Sequence, residues 1–288
     1  MPAVSLVVCL YEQRELLERL LQQSAGCYDD LVVVHDGPDE TGICAIVEAA
    51  GGRFFVRPRE NQQEPHWPFA WGEARQDWIL RFDADEFPGA ELKVWLKKFR
   101  QSAEPQQNIS GYTCVWPLWN GKNEITKKTC AGRIFLFDRR RVKFFGMAEQ
   151  VMIPDGRYEP LDLILHHQPK RKSFGLHNVL FRKQAYHWRE CIARSLLGKP
   201  TDLSCWRWES EAWPEDWEQI RRHPLRTALR RLVMETLRGL RRNWRVERKL
   251  LIEASLNGPI NHALLCVKFW QLRRQHLPNS RAKTVTKD

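Results

Sequence analysis

The chain lacks the features that mark several large protein classes. None of its 288 residues belongs to an apolar run of the ~20 needed to cross a bilayer. The uncharged stretch Ala254–Val267 is too short, and Asn257-Gly258-Pro259 interrupts it. The N-terminal Met-Pro-Ala enters an apolar segment at once, without a basic leader, a long apolar region or a small-residue cleavage site, so no secretion signal is expected. The eight cysteines contain no Cys-x-x-Cys pair, which argues against a zinc ribbon or a disulfide frame and for reduced, mostly buried thiols. Internal repeats and low-complexity segments are absent as well.

What is present is a chain able to bury a core: 43% of its residues are apolar, and 13 are Trp. Its most informative stretch is Trp78-Ile-Leu-Arg-Phe-Asp-Ala-Asp-Glu86, an apolar strand running into Asp83, Asp85 and Glu86. Carboxylates crowded at a strand end repel one another, and desolvation adds to that cost. A hard divalent cation held by their oxygens would relieve it and leave coordination positions for a diphosphate. The bland alternative is that Asp85 or Glu86 caps a helix starting near Ala90.

Strands and helices alternate along the N-terminal part. Val4–Leu10, Leu31–Val34, Arg53–Val56 and Trp78–Phe82 read as strands; Glu12–Gln23, Thr41–Ala50 and Phe69–Gln76 read as helices. That order predicts βαβ units and a largely parallel sheet, with ligands beyond the carboxyl ends of the strands. Asp36, in the turn His35-Asp36-Gly37-Pro38-Asp39-Glu40, and the Asp83/Asp85 pair both fall at such ends and can converge on one site. Ile109–Trp116, Arg133–Phe137, Val142–Phe145 and Leu161–Leu165 predict further strands of more antiparallel character. The aromatic run His66–Trp71 fits core packing better than a pocket wall.

Together these segments resemble the family 2 glycosyltransferases. The resemblance rests on Val4–Leu10 as an opening strand, Val32-Val-Val-His-Asp-Gly-Pro-Asp-Glu-Thr41 as a nucleotide-binding turn, and Asp83-Ala-Asp85 as a metal-binding Asp-x-Asp. Gly132-Arg-Ile-Phe-Leu-Phe137 and Gly146-Met-Ala-Glu149 are similar to the acceptor half in a bacterial branch that builds lipopolysaccharide core and surface glycans. The resemblance covers residues 3–170. It implies a GT-A-like α/β fold, a mixed and mainly parallel sheet flanked by helices; residues 169–288, beyond it, read as a mainly helical C-terminal extension. The implied organisation is a catalytic domain over 1–168, with the nucleotide-sugar half at 1–100 and the acceptor half at 101–168, followed by a basic helical region over 169–288.

The resemblance also assigns roles. Asp36 would contact the donor nucleotide, and Asp83 its ribose or the metal. Asp85 would ligate Mn²⁺ or Mg²⁺, with His166 favoured over His167 as a further metal or diphosphate ligand. Arg133 would meet a phosphate or form a structural salt bridge, and Glu149 would take the acceptor proton, with Asp155, Glu159 and Asp162 next in line. His35 stands where the family usually has an acid, and Ala148 where this branch often has His. The implied activity is a metal-dependent inverting transfer from a nucleotide-diphosphate sugar to a glycan or lipid-linked acceptor, on the cytoplasmic face of the membrane. A nucleotidyltransferase is the nearest enzymatic alternative, although the Gly-rich basic loop it usually carries is missing. A non-catalytic sugar- or lipid-binding module is a third reading.

Charge divides the chain. Residues 1–168 hold 20 Lys/Arg against 24 Asp/Glu, and residues 169–288 hold 26 against 11. Within the basic part, Leu225, Leu229, Leu232, Val233, Leu237, Leu240 and Trp244 recur at helical spacing among many Arg residues. The pattern predicts a helix over residues 221–249 that packs its apolar stripe on the protein and presents Arg to an anionic membrane surface. The basicity alone would also allow nucleic-acid binding, but no nucleic-acid motif is present and the acidic N-terminal part would repel phosphates, so no nucleic-acid partner is expected.

Overall fold

The computed structural model describes residues 1–103, 105, 108–124, 132–144, 152–170, 175–197, 215–242 and 248–276. The chain forms two compact units: Met1–Ser173 with Thr201–Glu209, and Phe174–Pro200 with Ser210–Asp288.

The first unit is built on a sheet. In chain order its elements are β1 (Val4–Leu10), α1 (Arg14–Gln23), β2 (Asp30–Asp36), α2 (Ile43–Ala49), β3 (Arg53–Arg57), α3 (Trp67–Glu73), β4 (Trp78–Arg81), β5 (Glu86–Pro88), α4 (Ala90–Gln101), β6 (Ile109–Val115), β7 (Arg133–Asp138), β8 (Val142–Lys143), β9 (Ile153–Pro154) and β10 (Arg157–His167). Eight strands form one sheet in the order β3-β2-β1-β4-β7-β6-β10-β5, and β8 pairs with β9 separately. β3, β2, β1 and β4 run parallel, β10 is parallel to β6, and β7 and β5 run against their neighbours. This is a mixed, mainly parallel sheet flanked by helices, parallel where strands and helices alternate, as the sequence predicts.

The central strands are buried on both faces, which explains why β1 and β2 read as nearly unbroken apolar runs. Alternate residues serve two cores. Val4, Leu6, Val8 and Leu10 join Leu17, Leu20, Leu92 and Leu96 from α1 and α4. Val7, Cys9 and Ile79 join Trp67 and Trp71 of α3 with Phe137 and Phe144. The aromatic run is thus core, as its composition suggests. Burial and neighbouring charge push the Cys9 thiol far up, so it is an inert packing group.

Element ends differ from the sequence reading for local reasons. Glu12 adopts a left-handed φ of 51°, so α1 starts at Arg14. Gly42 is also left-handed (φ 74°), and the Asp39 carboxylate accepts hydrogen bonds from the backbone N–H groups of Thr41, Ile43 and Cys44, which delays α2 to Ile43. β5 is too short to show a period. The sequence stripe of β10 begins four residues late, because Arg157–Pro160 carries no alternation.

The second unit is helical: α5 (Leu176–Phe181), α6 (Lys183–Leu197), α7 (Glu215–Arg222), α8 (Pro224–Arg242) and α9 (Arg248–His276). α8 packs on α9 through small groups. Thr227, Ala228 and Gly239 are buried, and a Cβ on Gly239 would lie 2.9 Å from the Ser255 carbonyl oxygen. The apolar stripe therefore does not pack as expected. Leu225, Leu229, Val233 and Leu237 are exposed, because the small-residue face allows the closer backbone approach and takes the inner position. Trp244 lies outside the described residues.

Trp71 anchors the α3 side of the sheet, with ring centroids 4.9 Å from Phe137 and 5.2 Å from Phe144. Trp71→Ala should lower unfolding stability by about 3–5 kcal/mol, read from urea titration followed by far-ultraviolet circular dichroism.

Candidate functional site

Parallel pairing of β2, β1 and β4 brings their carboxyl ends to one edge of the sheet, with Leu10 opposite His35 and Val7 opposite Arg81. β7 runs the other way, so its first residue, Arg133, arrives at the same edge. β6 and β10 again run with β4, which carries His167 there too. Asp36, Asp83, Asp85, Arg133 and His167 thus share one rim.

Asp36 closes β2 and is almost wholly buried. Its Oδ1 accepts hydrogen bonds from the Glu60 N–H (2.6 Å) and from His66 Nε2 (2.9 Å), and Arg59 Nε lies 3.6 Å from Oδ2. Burial pushes this carboxyl up, but the hydrogen bonds from His66 and Glu60 and the charges of His66 and Arg59 outweigh burial and hold it below the usual carboxylate range. An ionised carboxylate only accepts, so His66 donates to Asp36 from Nε2. Arg59 also donates to the Asp36 carbonyl oxygen (3.0 Å) and lays its guanidinium 3.1 Å from the Tyr11 ring centre. Gly37 has a φ of 102°, and the Arg59 stem fills the space a Cβ would need there. His35, in place of an acid, donates from Nδ1 to the Gly37 carbonyl (2.7 Å) and so shapes the turn from within.

The acid cluster follows β4. Glu86 is fully buried, and its Oε2 accepts the Asp83 N–H (2.7 Å). Arg133 Nε lies 2.9 Å from Glu86 Oε1, and Nη2 donates to Asp83 Oδ2 (2.9 Å) and Glu86 Oε2 (3.1 Å). Burial and Asp83 push the Glu86 carboxyl up while Arg133 pulls it down; the two acids in turn hold the Arg133 guanidinium firmly protonated, against the cost of its burial. Arg81, the last residue of β4, adds a second cation, with its guanidinium 4.9 Å from the Trp67 ring. Burial lowers its pKa to about 10, with Arg133 acting the same way and Asp83, Glu86 and Glu64 opposing, so it stays charged at neutral pH. The repulsion expected among the carboxylates is therefore relieved by arginines from two neighbouring strands.

Asp85 lies between Asp83 and Glu86 in this turn and meets a different partner. His167 Nε2 is 3.5 Å from Asp85 Oδ2, and the His167 ring stacks on Trp116 at 4.0 Å. His166 instead presents Nδ1 to Glu124 Oε1 at 2.6 Å. Successive residues of a strand point to opposite faces, and the pairing of His167 with Glu86 and of His166 with Phe87 puts His167, not His166, beside Asp85. Of the two roles open to Arg133, a phosphate contact or a structural salt bridge, it takes the salt bridge here. Among the described residues no three His, Cys, Asp or Glu groups are placed to hold a metal ion. Asp85 and His167, 3.5 Å apart, are the oxygen and nitrogen donors here that could reach one divalent cation, its other positions left to phosphate oxygens and water. Glu149 lies outside the described residues. Asp155 sits before β10, at the opposite edge of the sheet, because its N–H bonds to Arg141 and β10 runs away from it. Glu159 is paired with Arg157 at 2.9 Å.

Arg59, His66 and Arg81 were not legible as site residues. His66 was hidden in an aromatic run. Arg81 did carry a signal: a lone cation in an apolar strand, two residues before the acid cluster.

No protein-family model and no curated protein matches the chain. Among solved structures it is similar to S. aureus TarS, at 12% identity and a TM-score of 0.43 over 87% of this chain and 54% of that one. It is also similar to TarS residues 1–349, at 14% identity and a TM-score of 0.38 over 93% and 91%. A third similar structure is a CMP:2-keto-3-deoxy-manno-octonic acid synthetase complexed with CTP, at 12% identity and a TM-score of 0.30 over 41% and 54%. The chain spans about half the length of TarS. The fold is defined by its own strand order and register.

Arg133→Met should destabilise the protein by about 3–5 kcal/mol, because Glu86 is left buried and unpaired. The loss should shrink as pH falls toward the ordinary carboxylate value and Glu86 takes a proton, and adding Glu86→Leu should restore most of the stability. Denaturant titrations from pH 7 to pH 4 test both points. Asp36 behaves oppositely. Its lowered pKa contributes stability that is present above the ordinary value of about 4 and lost as pH falls below it, so Asp36→Asn should flatten the acid limb of the stability curve.

Proposed function

We propose that the sheet unit is a glycosyltransferase moving a sugar, with inversion, from a nucleotide-diphosphate sugar to a glycan or lipid-linked acceptor. The observation that carries this reading is the shared carboxyl edge of β2, β1 and β4. Asp36 with Arg59 and Tyr11 stands at one end of that edge, and the Asp83–Glu86 turn with His167 at the other. Ligands of open α/β sheets bind at that edge, and the two groups suit the two ends of a nucleotide diphosphate.

In this reading Asp36, held ionised by His66 and Glu60 N–H, offers acceptor oxygens to a base or ribose, while Arg59 fixes the turn around it. Arg133 keeps Asp83 and Glu86 in register and prevents their mutual repulsion from opening the turn. Asp85 and His167 would hold Mn²⁺ or Mg²⁺, which as a Lewis acid supplies charge neutralisation for a departing nucleoside diphosphate. Glu149, carried over from the sequence resemblance, is proposed to accept the acceptor hydroxyl proton. No helix among the described residues is long and apolar enough to cross a membrane. A lipid-linked acceptor would be met at an anionic membrane surface through residues 221–249, with the enzyme on the cytoplasmic side. A role in lipopolysaccharide or surface-glycan synthesis is part of the same proposal.

The test begins with thermal stabilisation by a panel of nucleotide-diphosphate sugars, with and without Mn²⁺, and continues to transfer with the sugar that binds. Asp85→Ala should abolish the Mn²⁺-dependent shift and cut turnover by ~10²–10³. His167→Ala should weaken the same shift, while His166→Ala should leave it in place. Glu149→Gln should keep donor binding and cut turnover by ~10²–10⁴. Binding of a nucleoside triphosphate with release of pyrophosphate would favour a nucleotidyltransferase instead.

A further inference from the structure

Helix α8 turns several of its hydrophobic side chains outward, while Leu232 and Leu240 are half-buried. Leu225, Leu229, Val233 and Leu237, each four residues after the last, are 49%, 66%, 51% and 58% exposed. They form one ridge along the 13 residues from Leu225 to Leu237. The inward face is made of Thr227, Ala228 and Gly239, with Arg231 and Glu235 beside them. Its one acid is occupied: Glu235 lies 3.4 Å from His262 Nδ1 and 3.9 Å from Arg231. Arg226, Arg230, Arg238 and Arg241 are exposed beside the ridge, so the outward surface of α8 combines a hydrophobic strip with a cationic strip and carries no carboxylate.

We infer that α8 is an interfacial helix, which beds its Leu/Val ridge into the headgroup–acyl boundary of an anionic bilayer while the flanking arginines hold lipid phosphates. This deepens, and rests on, the membrane-surface part of the proposed function; it does not depend on the sugar chemistry. Two features select this occupant. Cations alone would serve nucleic acid or a lipid surface equally, but nucleic acid gives no return for presenting a continuous Leu/Val strip to water. An apolar strip alone would suit a second protein, but a flank of arginines with no acid suits an anionic plane. The helix spans 19 residues and carries arginines along its length, so it lies in the interface and does not cross it.

The experiment uses the full chain in flotation with vesicles of phosphatidylglycerol and phosphatidylcholine in equal parts, and with phosphatidylcholine alone. Two variants separate the contributions: Leu229→Ser/Val233→Ser/Leu237→Ser removes the ridge, and Arg226→Gln/Arg230→Gln removes cations. All substituted residues are exposed, and circular dichroism confirms that helix content is kept. The unmodified chain should float with anionic vesicles and keep a bound fraction in high salt, where purely electrostatic adsorption is screened. The ridge variant should lose about tenfold or more in partitioning, with the remainder abolished by salt. The arginine variant should lose its preference for anionic over neutral vesicles. A ridge variant that floats like the unmodified chain, while the arginine variant does not, would overturn insertion but leave charge-driven membrane adsorption standing. No binding to anionic vesicles by the unmodified chain would overturn both. So would tight nucleic-acid binding without lipid preference, or self-association that the ridge variant abolishes. Nucleotide-sugar binding measured on the same samples reports separately on the sheet unit.

Discussion

The pairing of Arg133 with Glu86 and Asp83 is the interaction on which the candidate site depends. A carboxylate as deeply buried as Glu86 would carry a prohibitive desolvation cost beside another acid, and the chain solves this with a guanidinium from the antiparallel strand β7. The solution has a topological condition: only a strand running against β4 delivers its first residue to the carboxyl edge. The same pairing fixes β5 against β10 through the short turn from Asp83 to Glu86, and so determines which histidine meets Asp85. Fold and site therefore share one electrostatic element, and the strand order is part of the chemistry.

The Asp36 end is organised on a different principle. There a carboxylate is kept ionised by backbone and imidazole donors, with an arginine at longer range. His66, 1% exposed, is held by the same α3 segment whose tryptophans fill the core beneath the sheet. The aromatic run is at once packing material and the arm that places a polar ring. The two ends thus differ in their partners: Asp36 has one oxygen already doubly occupied, whereas Asp85 meets His167 at 3.5 Å.

Much of this was legible in the sequence, and the misses have physical causes. The apolar runs of β1, β2 and β4 and the Leu face of α1 are strong periodic signals, and they gave the parallel sheet and the edge on which Asp36 and Asp85 fall. Counterions were harder to read, because Arg133 stands 50 residues from Asp83 in the chain and nothing local announces the pairing. The choice between His166 and His167 turned on a register that only the β5–β10 pairing fixes. For α8 the pattern of apolar spacing was right, but spacing cannot say which face a helix turns inward. Gly239 and Ala228 decided it by letting two backbones come close.

That close approach places the two sides of α8 under unlike rules. On the inner side volume is what counts, and a single methyl at Gly239 would act as a wedge against the Ser255 carbonyl that the local backbone would have to give way to. On the outer side volume hardly matters and only character does, so Leu, Ile, Met or Phe could exchange freely there. Drift in this helix should therefore look conservative in size on one face and conservative in polarity on the other, within the same 19 residues.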